Sequence, residues 1–400
     1  MSRAFLERCP RRPLVIHMDL NRTIIQFDSA GGRTMEDALN SNVAASVMGR
    51  CDGDKWVAVF GPQEEGDRSG LMTYDNYVDN LHTEPPGMHE RPQAERDRIW
   101  RDIAANRRLM VRSFTHTGQP GEKYMHHVEE QRRVLAAAPN YSMIPAFFQL
   151  VNTLSELDWP FTLIFRTFGN DLANVLQEWR HFVFGEHVYK PRGAVLKHMK
   201  EKYIPEATGC IFRAEDQLFL CLGPDKPSVV VCPEGTETLP PSEALAQLLA
   251  MPFCKEVYQT DFMLLHDKLL EYTSASNNVG GIVDYYPFWA SGAERRSGGK
   301  VFPVAITASS YGLTSVTPRF YVFFDDNIFI GEEKSIVDLR DITTGKSITD
   351  AATERKYCVA VNPYMAIVNN DYFVDSLAQS IRLQLEEDNG SIDQSVSGGS

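Results

Sequence analysis

Three features are scarce in this sequence: positive charge, paired cysteines and long apolar runs. The 400 residues carry 40 Lys and Arg against 53 Asp and Glu, which gives a formal net charge of −13 at pH 7. A surface that neutralises nucleic-acid phosphates is therefore not expected, and Arg11 and Arg12 are too few to supply one. No apolar stretch approaches the length of a membrane span, so the sequence predicts no membrane partner.

The seven cysteines include no closely spaced pair such as Cys-x-x-Cys. An odd number of scattered cysteines disfavours both a disulfide framework and a structural zinc site. Reduced thiols are typical of a cytosol-like compartment, and we therefore expect a cytoplasmic protein.

A chain of this length, 43% hydrophobic, can form two or three compact units. Strand and amphipathic-helix candidates alternate in part of it, which is typical of an α/β fold with a Rossmann-like, doubly wound parallel sheet. This predicted core comprises residues 1–30, 140–190 and 298–390. Residues 31–139 are predicted to form an inserted cap, and residues 191–297 a second insertion with a β-hairpin and helices. Residues 391–400, rich in Ser and Gly, are predicted to be a disordered tail.

Three apolar strand candidates of the core each end in polar residues. Leu14–Met18 leads into Asp19, Asn21 and Thr23; Phe161–Phe165 leads into Arg166, Thr167 and Gly169; Phe320–Phe324 leads into Asp325 and Asp326. Because ligands of open α/β sheets bind outside the carboxyl ends of the strands, we expect these three strand ends to converge on one crevice.

The converging side chains offer oxygen ligands. Three carboxylates in one crevice repel one another unless a cation lies between them, and hard oxygen donors suit Mg²⁺ better than zinc or copper. Mg²⁺ in turn favours phosphate-bearing substrates, and a lysine in the crevice would balance the charge of a transferring phosphoryl group. The sequence therefore predicts Mg²⁺ as cofactor and a small phosphorylated metabolite as partner, and it leaves the oligomeric state open.

The order of these motifs resembles the haloacid dehalogenase (HAD) superfamily of Mg²⁺-dependent phosphohydrolases. The resemblance covers the three core segments and says little about the insertions. It implies a HAD-like core in which Asp19 is the nucleophile and takes the phosphoryl group as an aspartyl phosphate. It also implies that Asp19, the backbone carbonyl of Asn21, Asp325 and Asp326 hold the Mg²⁺.

The same resemblance implies that Thr167 donates a hydrogen bond to the phosphoryl oxygens, together with backbone N–H groups of the loop after Asp19. Thr23, Arg166 and Gly169 are assigned to substrate binding, although Arg166 could equally pair with a structural carboxylate. The long insertion after the first strand would serve as a lid that excludes water and selects the substrate.

The lysine has several candidates. Lys300, shortly before the acidic strand, fits the family order best and is preferred. The alternatives lie closer in sequence to Thr167 and are Lys190, Lys197, Lys200 and Lys202.

Asn21 departs from the family pattern. Most phosphatases of this family carry an aspartate there, which protonates the leaving group and then activates water. An asparagine can do neither, and losing general acid-base catalysis costs about 10²–10⁴ in rate. We therefore expect slow turnover, or another group acting as the acid; His17 and Arg166 are nearby in sequence.

Each motif alone has a simpler explanation. Asp19 with Asn21 is by itself most often a strand-to-loop turn, and Thr167 a loop hydroxyl that bonds to backbone. Their order at successive strand ends favours a hydrolase, and the alternative is a catalytically silent binding or scaffold protein on the same fold. A halide-releasing dehalogenase is disfavoured, because that chemistry needs no metal and would leave Asp325 and Asp326 unexplained.

Overall fold

The structure, a computed structural model, describes residues 1–26, 34–53, 55–201, 208–214, 217–223, 239–251, 256–275, 278–291, 294–306 and 318–397. Its strands are β1 (Leu14–Asp19), β2 (Met48–Asp52), β3 (Lys55–Phe60), β4 (Met72–Thr73), β5 (Phe161–Thr167), β6 (Thr208–Ala214), β7 (Gln217–Gly223), β8 (Glu256–Thr260), β9 (Val279–Asp284), β10 (Lys300–Val304), β11 (Phe320–Asp325), β12 (Val337–Asp341) and β13 (Cys358–Ala360).

The helices are α1 (Ser2–Arg8), α2 (Met35–Ala44), α3 (Tyr74–Leu81), α4 (Gln93–Arg112), α5 (Met125–Leu135), α6 (Pro145–Glu156), α7 (Leu172–Val183), α8 (Ala194–Glu201), α9 (Pro241–Ala250), α10 (Phe262–Ala275), α11 (Tyr286–Ser291), α12 (Ala351–Tyr357), α13 (Pro363–Val368) and α14 (Tyr372–Ser397). Short 3₁₀ turns lie at Met88–Glu90, Glu122–Tyr124 and Arg296–Gly298. Within the described ranges, none of the helices combines the length and the apolar character needed to cross a membrane.

The chain divides into two compact units. Unit 1 comprises Met1–Ile25, Pro145–Val361 and Asn370–Ser400, and unit 2 comprises Gln26–Ile144 and Asn362–Asn369. The segment 31–139, which the sequence predicts to be an insertion, falls within unit 2. The predicted core segments fall largely within unit 1.

Unit 1 is built on an eight-stranded sheet with the order β13-β11-β1-β5-β9-β6-β7-β8. The pairs from β13 to β6 are parallel, whereas β7 runs antiparallel to both of its neighbours. The central strands β1, β5, β9 and β11 are buried throughout, as expected of parallel strands covered on both faces. The predicted α/β class is confirmed. The central sheet is mixed and mostly parallel, whereas the sequence predicts a parallel sheet.

Residues 191–297 differ from the sequence interpretation, which placed them in an insertion outside the core. They supply β6 to β9 to the central sheet, and β9 lies between β5 and β6. The glycine pair Gly280-Gly281 made β9 resemble a loop in the sequence. In the structure a Cβ at Gly281 would lie 2.6 Å from the Leu172 side chain, so the glycine permits the close approach of α7 to the strand.

A two-stranded parallel sheet, β10 with β12, packs over one face of the central sheet. The apolar side chains of this layer form one buried cluster, which includes Val15, Ile164, Tyr321, Phe323, Val301, Phe302, Val337 and Leu339. Burial of Val301, Phe302 and Val304 fixes β10, and with it Lys300 at the start of the strand.

Helix α14 begins at Tyr372 and buries Phe373, Leu377 and Ile381, as its apolar periodicity predicts. The helix continues to Ser397 and so enters the segment 391–400, whose disorder stays a prediction. Extension of an existing helix needs no new nucleus, and this offsets the poor helix propensity of Gly and Ser. Residues 398–400 lie outside the described ranges.

Unit 2 contains the antiparallel sheet β3-β2-β4 and the helices α2 to α5. Thr34 and Asp37 form a capping box at the start of α2. Helix α13 joins this unit through Tyr364, whose hydroxyl donates to Glu130 Oε2 at 2.5 Å and lies 2.6 Å from His127 Nδ1.

Candidate functional site

The carboxyl edge of the central sheet in unit 1 brings the predicted strand ends together. In the sheet, β1 lies between β5 and β11. The chain forms β5 first, on one side of β1, and forms β11 later, on the other side. In open α/β sheets, ligands bind where the strand order reverses in this way, outside the carboxyl ends of the strands. The register places Asp19 beside Arg166 and Met18 beside Phe324, so Asp325 lies level with Asp19.

Three carboxylates meet at this edge of the sheet. Asp19, Asp325 and Asp326 each present an oxygen within 4.8 Å of the others. Burial and the neighbouring Asp325 raise the pKa of Asp19 well above its usual range. Burial also raises the pKa of Asp326, to about 6, with Arg22 opposing the shift and Asp325 adding to it.

Lys300 supplies the compensating positive charge. Its Nζ donates to Asp19 Oδ1 at 2.5 Å and to Asp325 Oδ2 at 2.8 Å, and the residue is 1% exposed. Burial alone would lower the pKa of Lys300, but the attraction of Asp19 and Asp325 outweighs it and the pKa is raised. The ammonium therefore stays charged between the two carboxylates.

The other candidate lysines lie elsewhere or outside the described residues. Lys190 Nζ donates to the Gly185 carbonyl, Lys200 lies over the Phe184 ring, and Lys197 is exposed. Lys202 lies outside the described residues. Among the described candidates, only Lys300 contacts Asp19, in line with the preference drawn from the sequence.

The turn after β1 fixes the orientation of Asp19. The Leu20 carbonyl accepts hydrogen bonds from the backbone N–H groups of Thr23, Ile24 and Ile25. This turn directs the Thr23 hydroxyl to donate to Asp19 Oδ2 at 3.1 Å. Thr23 is fully buried and supports the Asp19 carboxylate, and its assignment to substrate binding stays a prediction.

Arg166, another residue assigned to substrate binding, pairs with a carboxylate of the sheet. It is fully buried, and its Nε and Nη2 donate to the two carboxylate oxygens of Asp284 at 2.9 and 2.5 Å. Nη1 donates to His17 Nδ1 at 2.9 Å and to the Val301 carbonyl at 3.1 Å. Of the two readings left open by the sequence, the structure therefore favours pairing with a structural carboxylate.

His17 cannot serve as the acid that Asn21 does not supply. Burial foremost, and then the charge of Arg166, lower the pKa of His17 well below its usual range. Its Nδ1 must accept the hydrogen bond from Arg166, since a guanidinium only donates. A neutral imidazole held in this way cannot protonate a leaving group.

Asp284 is a site residue that the sequence reading missed. It ends β9 at the same edge of the sheet, is 4% exposed, and adds to the raised pKa of Lys300. The sequence does contain a signal for Asp284, because an acid after the apolar run Val279–Val283 repeats the pattern of the other strand ends.

A second group of polar residues surrounds Gly169. The Gly169 N–H donates to Thr167 Oγ1 at 2.8 Å, and Asn21 Nδ2 donates to Asp171 Oδ2 at 3.2 Å. A Cβ at Gly169 would lie 3.3 Å from Asn21 Nδ2 and 3.4 Å from Thr167 Oγ1. A larger residue at this position would therefore crowd both polar side chains. Within the described residues no contact joins Thr167 to Asp19, and the phosphoryl-binding role of Thr167 stays a prediction.

Asp171 directly precedes helix α7. It occupies the N-cap position, but no capping hydrogen bond forms there. Its carboxylate instead accepts from Asn21, which brings a further acid beside the loop that follows Asp19.

The donor set fits a hard divalent cation. Asp19, Asp325 and Asp326 offer carboxylate oxygens within a few ångströms of one another, and the Asn21 carbonyl accepts no hydrogen bond from the described part of the chain. Oxygen ligands of this kind suit Mg²⁺, whereas the described neighbourhood offers no set of thiolates or imidazoles for zinc.

Comparison of the chain with protein-family models, with curated proteins and with solved structures found no match.

Proposed function

We propose that this protein is a Mg²⁺-dependent phosphohydrolase of the HAD type, which acts on a small phosphorylated metabolite through Asp19. The observation that carries the proposal is the meeting of three carboxylates and one ammonium at the carboxyl edge of a parallel sheet. A buried like-charge cluster with strongly raised pKa values is costly for folding, and such clusters occur preferentially at functional sites.

In the proposed reaction, a carboxylate oxygen of Asp19 attacks the phosphorus atom. The bond from phosphorus to the leaving oxygen breaks with its electron pair, and an aspartyl phosphate forms. Thr23 keeps the Asp19 carboxylate oriented, and Lys300 neutralises charge on the phosphoryl group. A water oxygen then attacks the phosphorus, inorganic phosphate leaves, the Asp19 carboxylate is restored, and the proton of the water passes to solvent.

Asp19, Asp325, Asp326 and the backbone carbonyl of Asn21 would hold the Mg²⁺. When bound, the metal ion would supply positive charge for the phosphoryl oxygens. Thr167 and the backbone around Gly169 would donate hydrogen bonds to the same oxygens.

The test is Mg²⁺-dependent phosphate release from a panel of phosphorylated metabolites. Asp19→Asn keeps the shape of the side chain and removes the nucleophile, so release is expected to fall to the level of buffer. Asp79→Asn is the matched control, because Asp79 is half exposed, pairs with Arg107 in unit 2, and should leave release unchanged. Release that survives in Asp19→Asn would refute the assignment.

The second candidate is a catalytically silent protein that binds Mg²⁺ and a phosphorylated ligand. Asn21 favours it, since an amide cannot act as an acid or a base. A silent protein would bind Mg²⁺ and a tetrahedral phosphate mimic in calorimetry, would release no phosphate from any donor, and would gain release in Asn21→Asp. Release by the wild type excludes this candidate.

A further inference from the structure

Asn21 carries a buried acceptor that has no partner. Its Nδ2 donates to Asp171, and because a carboxylate in this contact only accepts, the amide must turn its oxygen the other way. Oδ1 is buried and has no hydrogen-bond partner among the residues that the structure describes. Asn21 thus presents a fixed neutral acceptor, with no proton to give from that oxygen.

Arg22, the next residue, carries a buried donor that has no partner. Its backbone has φ +60°, a left-handed conformation that residues other than glycine rarely adopt. The Nη1 atom lies 3.5 Å from Asp326 Oδ2, while Nε is buried and meets no acceptor in the described part of the chain. The loop therefore holds a guanidinium beside the acidic cluster with one N–H unused.

The other polar groups near Asp19 are already engaged in hydrogen bonds of their own. Lys300 donates to Asp19 and Asp325, and His17 accepts from Arg166. Asp171 accepts from Asn21. None of these four contacts offers a proton to a leaving group, whereas Arg22 offers positive charge and an N–H.

The chemistry that follows depends on the leaving group. When Asp19 attacks phosphorus, the electron pair of the breaking bond passes to the leaving oxygen. Without a proton donor that oxygen departs as an anion, which is very unfavourable for an alkoxide and favourable for a carboxylate or a phosphate. An N–H donor on a guanidinium stabilises such an anion as its charge develops.

We propose, on the basis of the function proposed above, that Asn21 and Arg22 make the site selective for phosphoryl anhydrides, acyl phosphates foremost. The acyl phosphate transfers its phosphoryl group to Asp19 and leaves as a carboxylate, which accepts a hydrogen bond from Arg22. Water then hydrolyses the aspartyl phosphate, so the net reaction consumes one water and yields a carboxylate, inorganic phosphate and a proton.

The experiment compares donors of graded leaving-group basicity at saturating Mg²⁺: acetyl phosphate, p-nitrophenyl phosphate, phenyl phosphate and glycerol phosphate. We expect kcat/KM for acetyl phosphate to exceed that for glycerol phosphate by more than about 100-fold, the scale of missing acid catalysis. Asn21→Asp supplies an acid, and it should raise turnover of glycerol phosphate by about 100-fold or more and flatten the dependence on leaving group.

Arg22→Gly tests the second residue, because glycine adopts the same backbone conformation without strain. It should lower kcat/KM for acetyl phosphate roughly 100-fold, as loss of one preorganised donor does elsewhere. Arg22→Lys keeps the charge and should recover part of the loss. Circular dichroism and thermal unfolding of each variant check that the fold is retained.

Three outcomes would overturn the inference. Equal use of acetyl phosphate and glycerol phosphate, with release that depends on Asp19, would refute the selectivity and leave the phosphohydrolase intact. A leaving-group dependence that steepens in Asp171→Asn would identify Asp171 as an acid and refute the roles of Asn21 and Arg22. No Asp19-dependent release from any donor would refute both the inference and the function on which it rests.

Discussion

The ammonium group of Lys300 lies 2.5 Å from Asp19 Oδ1 and 2.8 Å from Asp325 Oδ2, and all three residues are buried. Such an arrangement adds little net stability relative to an apolar core, but loss of one partner leaves an uncompensated buried charge. Lys300 therefore matters for folding as well as for the proposed chemistry.

We expect Lys300→Met to lower the free energy of unfolding by about 3–5 kcal/mol and to abolish phosphate release. Equilibrium urea unfolding without Mg²⁺ measures the first effect. Lys334→Met is the control, since Lys334 is half exposed, pairs with Glu332 at 3.4 Å, and should cost less than about 1 kcal/mol. Equal stability of the two variants would contradict the buried pairing of Lys300.

The raised pKa values of Asp19 and Asp326 predict that the proposed binding of Mg²⁺ depends on pH. Each group binds its proton more tightly in the folded protein than in the unfolded chain, so its contribution to stability is complete below the usual pKa of 3.8. That contribution is lost as pH rises through the folded value, which is about 6 for Asp326. Mg²⁺ competes with these protons for the carboxylates.

The rise in Tm caused by Mg²⁺ should therefore be small at pH 5 and larger at pH 7.5. Thermal unfolding with and without Mg²⁺ measures it, and Asp325→Asn, which removes one ligand, should show a reduced rise at both pH values. A rise in Tm that is independent of pH would mean that Mg²⁺ binds outside this cluster.

Arg166 shows what the sequence could and could not predict about side chains. The sequence places it correctly at a strand end beside Asp19. Its partner Asp284 lies 118 residues away, on a strand whose place in the sheet depends on non-local pairing. The strand-end pattern can identify both residues, but only the register between β5 and β9 decides that they neutralise each other.

Strand β10 positions Lys300 without joining the central sheet. It pairs with β12, and the Lys300 N–H donates to the Ile336 carbonyl at 2.7 Å. The preceding residue, Gly299, approaches the same carbonyl so closely that a Cβ would lie 2.1 Å from its oxygen. A backbone oxygen cannot move aside without disturbing the strand pairing.

Gly299→Ala is therefore expected to shift β10, to lower stability by at least about 1–3 kcal/mol, and to weaken phosphate release by moving Lys300. Unfolding in urea and steady-state assays measure the two effects. Gly53→Ala is the control: a Cβ there meets nothing within 4 Å, and only the backbone at φ +58° is strained, at about 1–2 kcal/mol. Full activity in Gly299→Ala would contradict the role of β10.

The sequence predicts β1, β5 and β11 with their bounds nearly correct, because each is an unbroken apolar run between turn signals. It does not predict that β9 belongs to the same sheet, since Gly280 and Gly281 are typical of turns. The reason for Gly281, its contact with Leu172 of α7, exists only in the folded protein.

Unit 1 assembles its acidic site from segments far apart in the chain. Asp19 lies on β1, Lys300 on β10 and Asp325 on β11. Asp19 and Lys300 are 281 positions apart in the chain, and most of unit 2 lies between them. The order of motifs along the sequence indicates which residues meet. The distances between them, and the roles of Thr23 and Arg166, depend on the sheet order and on packing.

The most direct test is to trap the phosphorylated enzyme. The protein is incubated with Mg²⁺ and phosphoryl donors, quenched in acid, digested and examined by mass spectrometry. We predict one phosphoryl group on the peptide that contains Asp19, labile to hydroxylamine, absent without Mg²⁺ and absent in Asp19→Asn. Phosphate release with an unmodified Asp19 peptide, or with the phosphoryl group on another residue, would contradict the central claim that Asp19 is the nucleophile.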